Sequence, residues 1–499
     1  MTSTFHGLEV ARRALFTQQS ALYTTGHNIA NANTEGYSRQ RVNFVQTSAF
    51  PAPGRNRPEI PGQLGTGVKA GQIERVRDKF LDYQYRIENN RNGYWGVRAD
   101  ALRRMEDIMN EPSDAGLGRV MDQFWESLQD LATHPEDEGA RRVVLQRATA
   151  VADTFVYLNQ SLTNVQGEIR NQLDKESLKV NSILQQINEL NDQISRIEPN
   201  GYLPNDLYDQ RDLLIDQLSE FVNITVTYEP SGGNSLDTAM GKAVIILNDE
   251  NGQPLTDSNG DEIKLITENN ELNSIKVNFS NGTIDSIEIG EMDSSGHITN
   301  PIETYQANNF PSLGAFKGLI ESHDDIFGVK VNELNELARA VIDGFNAVHQ
   351  LGFDLDGNGG QPFFGGTDAA SIEVLITDAR EIAASSSGAP GDGVHAIELA
   401  NVRITGLVGT TNTSIQKFYE GIIGEIGVMA QEANRMASNS EILRLSVENN
   451  RQSVSGVSLD EEMTNMIKFQ HAYNAAARNM TVVDEMLDRI INQMGIVGR

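Results

Sequence analysis

The feature that most limits what this chain can fold into is a run of apolar residues ending at Ile197. Val151, Phe155, Leu158, Leu162 and Val165 alternate in steps of four and three, and after a shift Val180, Ile183, Ile187, Leu190, Ile194 and Ile197 resume the same steps. Such spacing places them on one face of an α-helix. His134-Pro135 breaks the helical pattern before it, and Glu198-Pro199-Asn200-Gly201 stops it, so the spacing predicts a single helix over about 136–198. At 1.5 Å per residue this helix is about 90 Å long. No globular domain accommodates such a rod, so an elongated molecule follows.

Around this rod, residues 74–198 are helical in pattern, broken near Pro112 and at His134-Pro135, and another helix starts after Pro204 with Leu207, Leu214, Leu218 and Phe221 on one side. Residues 48–71, rich in Pro and Gly, read as an extended loop with one or two short strands. Residues 223–312 change character. Ile275, Val277 and Phe279, then Asn281-Gly282, then Ile287 and Ile289 predict a β-hairpin, because Asn-Gly supplies the positive φ angles of a type I′ turn. Residues 231–312 carry 13 acids, three lysines and no arginine, a net charge of −10. Helical spacing returns at 313–350 and from Ile415 to Val454, while 351–410, rich in Gly and Asp, reads as loops with short strands.

Both ends of the chain carry a narrow apolar seam. Near the N-terminus, Leu8, Leu15, Leu22 and Ile29 stand seven apart beside Ala11, Ala14 and Ala21, and the helix ends where Asn, Thr and Gly accumulate between His27 and Tyr37. Near the C-terminus, Ser453-Val454-Ser455-Gly456 is a hinge candidate, and Ser458 followed by Glu461 is a capping box. It opens a last helix with Met463, Met466, Tyr473, Met480, Val483, Leu487, Ile490 and Met494 on its seam, stopping at Gly495. The expected fold is mainly α with an inserted β domain. Residues 1–60 with 455–499 form a terminal unit of paired, coiled-coil-like helices, 61–228 with 313–454 a long helical domain, and 229–312 an acidic β-rich outer domain.

The chain has 69 acidic and 40 basic residues, a net charge of −29 that repels a phosphate backbone, so no nucleic-acid partner is expected. No apolar run approaches the ~20 residues of a bilayer span. Met1 to Gly7 has neither a basic start nor an apolar stretch after it, so no cleaved signal is expected. The absence of cysteine excludes disulfides, thiolate catalysis and Cys-based zinc sites. Gly65-Thr66-Gly67-Val68-Lys69-Ala70 matches the loosest dinucleotide fingerprint, yet Pro58, Pro61 and Gly62 stand where a buried strand is required. Asp354-Leu355-Asp356-Gly357-Asn358-Gly359 resembles half of a calcium loop, with Gly365 where the closing Glu belongs. The eight histidines are scattered, and there is no nucleophile elbow or phosphate loop. No catalytic, cofactor or metal residue is expected. The terminal seams are left as the functional feature, either paired within one chain or packed against copies and neighbours in a polymer.

Two terminal stretches then carry a resemblance. Ala21-Leu22-Tyr23-Thr24-Thr25-Gly26-His27-Asn28-Ile29-Ala30-Asn31-Ala32-Asn33-Thr34-Glu35-Gly36-Tyr37-Ser38-Arg39-Gln40 resembles the N-terminal signature of the bacterial flagellar axial proteins, the rod, hook and hook-associated family. Gly456 to Glu462, with Gln470, Tyr473, Ala476, Ala477 and Arg478, resembles the matching C-terminal motif. Gly116 to Trp125, Leu128 to Leu131, Pro135-Glu136, Arg141, Val143 to Gln146 and Tyr208 to Leu214 are similar to the helical domain of the hook-filament junction branch. The resemblance covers roughly 1–225 and 313–499 and leaves out the acidic insert. It implies a structural, non-enzymatic subunit exported through the flagellar type III apparatus. That subunit assembles with copies of itself as a ring between the hook protein and hook-associated protein 3, and an export chaperone holds its C-terminal helix in the cytoplasm. The implied assembly interface is Leu8, Leu15, Leu22, Ile29, Asn31, Asn33, Gly36 and Tyr37 with Met463, Met466, Tyr473, Met480, Val483, Leu487, Ile490 and Met494. The alternatives are another axial subunit, such as hook-associated protein 3 or a hook or rod protein, and a surface enzyme or adhesin with its chemistry in 231–312 or 351–410.

Overall fold

The computed structural model describes residues 4–51, 54, 55, 62–109, 116–280, 282–293, 296–408 and 413–493; Pro112, Asn281, Met494 and Gly495 lie outside them. Helix α1 (Thr4–Ala30) leads into a hairpin of β1 (Gln40–Gln46) and β2 (Val68–Arg75). Helices α2 (Lys79–Met109), α3 (Leu117–Thr133), α4 (Glu138–Ile197) and α5 (Asn205–Phe221) follow. The expected rod is α4: 60 residues, capped by the Asp137 side chain, which accepts the Gly139 N–H, and ended by a turn in which Gly201 has φ 80°.

The inserted strands form two antiparallel sheets. One contains β3 (Ile224–Glu229), β4 (Lys242–Leu247) and β5 (Lys264–Ile266), and the other β6 (Ser274–Ser280), β7 (Thr283–Met292) and β8 (Ile298–Gln306), each in sequence order. The predicted hairpin is β6–β7, with Ile275 opposite Ile289 and Val277 opposite Ile287. These sheets are not an appendage. Ile245, Leu265, Ile275 and Ile287 lie in one contiguous core with Leu173, Val180 and Ile187 of α4. Polar side chains on the same side of α4 fasten the strands: Asn181 donates to the Ile275 carbonyl and accepts from its N–H, and Asn191 does the same for Ala243.

The chain returns through α6 (Ala315–Glu321), a π-helical turn (Ser322–Gly328) and α7 (Val329–His349). Residues 351–410 hold short strands, as expected, and also helix α8 (Val394–Thr405), which the Gly- and Asp-rich composition around it concealed. Helix α9 (Ile415–Ser455) runs back along α2, and α10 (Leu459–Asp488) along α1. At the far end of the body Phe124, Trp125, Phe345, Phe363 and Phe364 cluster, with Phe124 and Phe345 centroids 5.4 Å apart.

Two element positions bear on the expected boundaries. The β1–β2 hairpin spans residues 40–75, across the boundary set at 60, because both strands lie on α1. The first inserted strand starts at Ile224, ahead of 229, because it continues directly from α5.

Candidate functional site

Helices α1 and α10 are antiparallel. A Cβ on Gly7 would lie 3.6 Å from Val483 Cγ2, and at the other end of the pair Asn28 reaches Glu462. Neither helix contributes to the contiguous apolar core of the body. The buried apolar residues of the two helices are small: Ala11 and Ala21 on α1 and Ala476 on α10. The larger seam residues are left partly uncovered. Leu8, Leu15, Leu22 and Ile29, like Met466, Met480, Val483 and Leu487, are half-buried, whereas Met463, Tyr473 and Ile490 are exposed. Met494 lies outside the described residues.

The Asn-rich turn after α1 is built by side-chain to backbone bonds. The Asn31 amide donates to the His27 carbonyl at 3.1 Å, Thr34 donates to the Asn31 side chain, and Gly36 adopts φ 76°. A Cβ at Gly36 would sit 3.1 Å from Leu213 of α5 while holding a left-handed backbone. Asn33 is exposed. Tyr37 folds back and donates to Asn28 Oδ1 at 2.8 Å. Burial, and then the carboxylates of Asp206, Asp209 and Glu462, push its phenol pKa well above the ordinary value, so it remains a donor.

Asn28 and Arg39 lock the two ends of the chain together. Buried Asn28 accepts the Gln40 N–H at 3.0 Å and donates to the Gln40 carbonyl at 2.8 Å and to Glu462 Oε2 at 3.1 Å. Arg39 donates through Nε to Glu462 Oε1 at 2.7 Å and grips Glu461 with both terminal nitrogens at 3.0 and 2.8 Å. Glu462 is 2 % exposed, so its charge is tolerated only with these partners. The Ser458 side chain accepts the Glu461 N–H as the capping box requires, but the Glu461 carboxylate goes to Arg39 instead of closing the box. Reading the apolar seams alone misses Asn28, Arg39, Glu461 and Glu462. The signal was their place inside both terminal motifs.

A second charged site joins this unit to the body. Asp206, Asp209, Asp212 and Asp216 recur every three or four residues on one face of α5. Asp209 accepts the Ser38 N–H at 3.1 Å and pairs with Arg75 at 2.7 Å. Asp212 takes Arg75 at 2.9 Å and Arg77 at 3.3 Å, and Asp216 takes Arg86 at 2.8 Å and also Arg451. Burial alone would raise the Asp212 pKa, but Arg77, Arg75, Arg86 and Arg211 outweigh it and hold the carboxyl well below the usual range.

The motifs that suggested small ligands are turns. β2 rather than a helix follows Gly65-Thr66-Gly67, so no helix N-terminus faces a phosphate. Asp354 accepts the N–H groups of Asp356 and Asn358 at 2.8 and 2.7 Å, and Asp356 pairs with Arg380. Among the described residues no helix is long and apolar enough to cross a membrane, and no group of three or more His, Asp or Glu is arranged to hold a metal.

The two locked motifs coincide with two family matches: residues 8–37 with the flagella basal body rod protein family and 449–494 with the C-terminal region of the flagellar basal body rod FlgEFG proteins. Residues 102–364 match the helical domain of flagellar hook-associated protein FlgK. Flagellar hook-associated protein 1 of Bacillus subtilis (strain 168) is 45 % identical over 100 % of both chains. The chain belongs to the flagellar hook-associated protein 1 family. The hook-associated protein 1 of Escherichia coli (strain K12) is 23 % identical over 97 % of this chain and 98 % of its own. In fold, the chain resembles the flagellar hook junction protein FlgK from Burkholderia pseudomallei, with a TM-score of 0.61 over 75 % of this chain and 100 % of that one at 14 % identity. The match across 102–364 includes the acidic insert, which the expected resemblance left out. The same match sets aside hook-associated protein 3 and the hook and rod subunits.

Proposed function

We propose that this member of the hook-associated protein 1 family is the structural, non-catalytic junction subunit between hook and filament, assembling as a ring with copies of itself. The carrying observation is the full-length 45 % identity to the Bacillus subtilis protein, together with terminal helices that pair with each other outside the body's core and leave larger apolar residues uncovered. On this reading α1 and α10 form the inner tube. Leu8, Leu15, Leu22, Ile29, Met463, Met466, Tyr473, Met480, Val483, Leu487 and Ile490 complete their burial against neighbouring subunits. Asn31, Gly36 and Tyr37 hold the turn that presents them. The long helices form the next layer and the acidic sheets the outer one. The partners are the hook protein on one side and hook-associated protein 3 on the other, with a cytoplasmic chaperone covering the α10 seam before export to the extracellular flagellum. Electron microscopy of a deletion strain tests this: hooks without filaments, restored by the gene on a plasmid, are the expected result, and normal filaments in the deletion strain overturn it.

A further inference from the structure

The chain crosses between its terminal unit, made of α1, β1, β2 and α10, and the body at two places, residues 76–78 and 456–458. Both crossings are fastened to α5 by charge. Arg75 precedes the first and Arg77 lies within it, and Arg451 near the end of α9 precedes the second. Each guanidinium reaches at least two carboxylates: Arg75 reaches Asp209 and Asp212, Arg77 reaches Asp82, Asp209, Asp212 and Asp216, Arg86 reaches Asp216 and Asp212, and Arg451 reaches Asp216, Asp82 and its helix neighbour Glu448. The side chains involved are between 2 % and 22 % exposed, so every charge must keep a partner.

No residue of α1 or α10 enters the body's core, and the other contacts across the joint are mostly polar bonds: Ser38 N–H to Asp209, Gln40 to Asp206, Asn205 to the Ile73 carbonyl and Thr238 to Gln72. Two open clefts border the cluster. One, of about 980 Å³, lies between the turn at 32–39 and a wall that includes Tyr85, Asn89 and Gln217; Asp216 lines it. The other, of about 610 Å³, lies between Glu74 and a wall that includes Tyr83, Tyr228 and Asp237; Asp212 lines it. Arg77 borders both.

We propose that Asp212 and Asp216 are the positioning residues of this joint: they set the angle between terminal unit and body and form the pivot on which the unit rocks into one cleft or the other. Guanidinium–carboxylate pairs are directional, so the cluster defines an angle where apolar contact would let the parts slide. Because each arginine reaches at least two carboxylates, a small rotation exchanges partners without stranding a charge, and the clefts leave room for it. The proposal stands on the joint's own geometry, whatever the terminal helices contact.

The chain has no cysteine, so two introduced thiols are the only ones a nitroxide label can reach. Label pairs at Glu35→Cys with Gln217→Cys, and at Glu74→Cys with Asp237→Cys, report the width of each cleft by pulsed electron-electron distance measurement on the full chain. Asp212→Asn and Asp216→Asn are expected to broaden both distributions to about twice the parent's width, while Asp216→Glu stays closer to the parent. Should either Asn variant fail to fold, Arg451→Gln at the edge of the cluster is measured in the same way. Unchanged distributions, with or without a lower melting temperature, overturn the proposal, because the cluster would then merely stabilise the fold. Broadening at one cleft alone overturns the pivot.

Discussion

Replacing Arg39 with Met tests whether the two terminal motifs are held by their charged lock. The variant keeps most of the side-chain volume and removes every donor that Arg39 gives Glu461 and Glu462. Glu461 is exposed and loses little. Glu462, 2 % exposed, keeps only the Asn28 amide, and breaking one side of a buried pair costs about 3–5 kcal/mol. Arg39 itself keeps about a fifth of its side chain in water, so the lower end applies, about 3 kcal/mol. Since α1 and α10 stand outside the body's core, this loss falls on local opening of the terminal unit rather than on global unfolding. Amide hydrogen exchange should therefore accelerate by about a hundredfold, at 1.4 kcal/mol per factor of ten, in the first turns of α10 and the last turns of α1. Amides of α4 should hardly change. The double variant Arg39→Met with Glu462→Leu removes the stranded charge and should recover much of the protection. A fall in the main thermal transition with unchanged exchange in α10 would sink the reasoning, as would a double variant worse than Arg39→Met alone.

Leu487→Glu, on the half-buried part of α10, should leave the main thermal transition of the monomer in place and yet prevent filaments from seating on hooks; a large drop in that transition argues against the assembly seam. Replacing 231–312 with a Gly/Ser linker should lower the melting temperature sharply, because it strips cover from Val180, Leu184 and Ile187 of α4, on the order of 2 kcal/mol each. A melting temperature equal to the parent's would make the sheets a dispensable appendage. His349 stands inside the aromatic cluster, donates through Nδ1 to the Gln361 carbonyl at 2.7 Å and accepts the Ala383 N–H at 2.9 Å. Burial lowers its pKa to about 4, below the 6.5 of the unfolded chain, so the unfolded state binds more protons between these values and stability rises with pH across that window. Chemical denaturation from pH 4 to 7 should show this slope, and His349→Gln should flatten it; an equal slope in the variant refutes the assignment.

What the sequence alone determined was whatever depends on spacing along one element. The α4 rod, its stop at Glu198 to Gly201, the β6–β7 hairpin and the helices at both ends follow from periods of 3.6 and 2 and from turn chemistry, which are local. The two terminal motifs likewise carried the family. Tertiary structure alone decided which residues meet across the chain. Nothing in the spacing of α4 marks Asn181 and Asn191, and only the folded chain shows them pairing with strand backbone. The leucines at seven-residue spacing read as a narrow apolar seam, and only the folded chain shows them half in water, outside the body's core. Arg39 and Glu462 stand 423 residues apart, and Arg451 and Asp216 stand 235 apart. A charge in a sequence carries no mark of its partner. Burial makes that partner obligatory, and burial exists only once distant elements have packed.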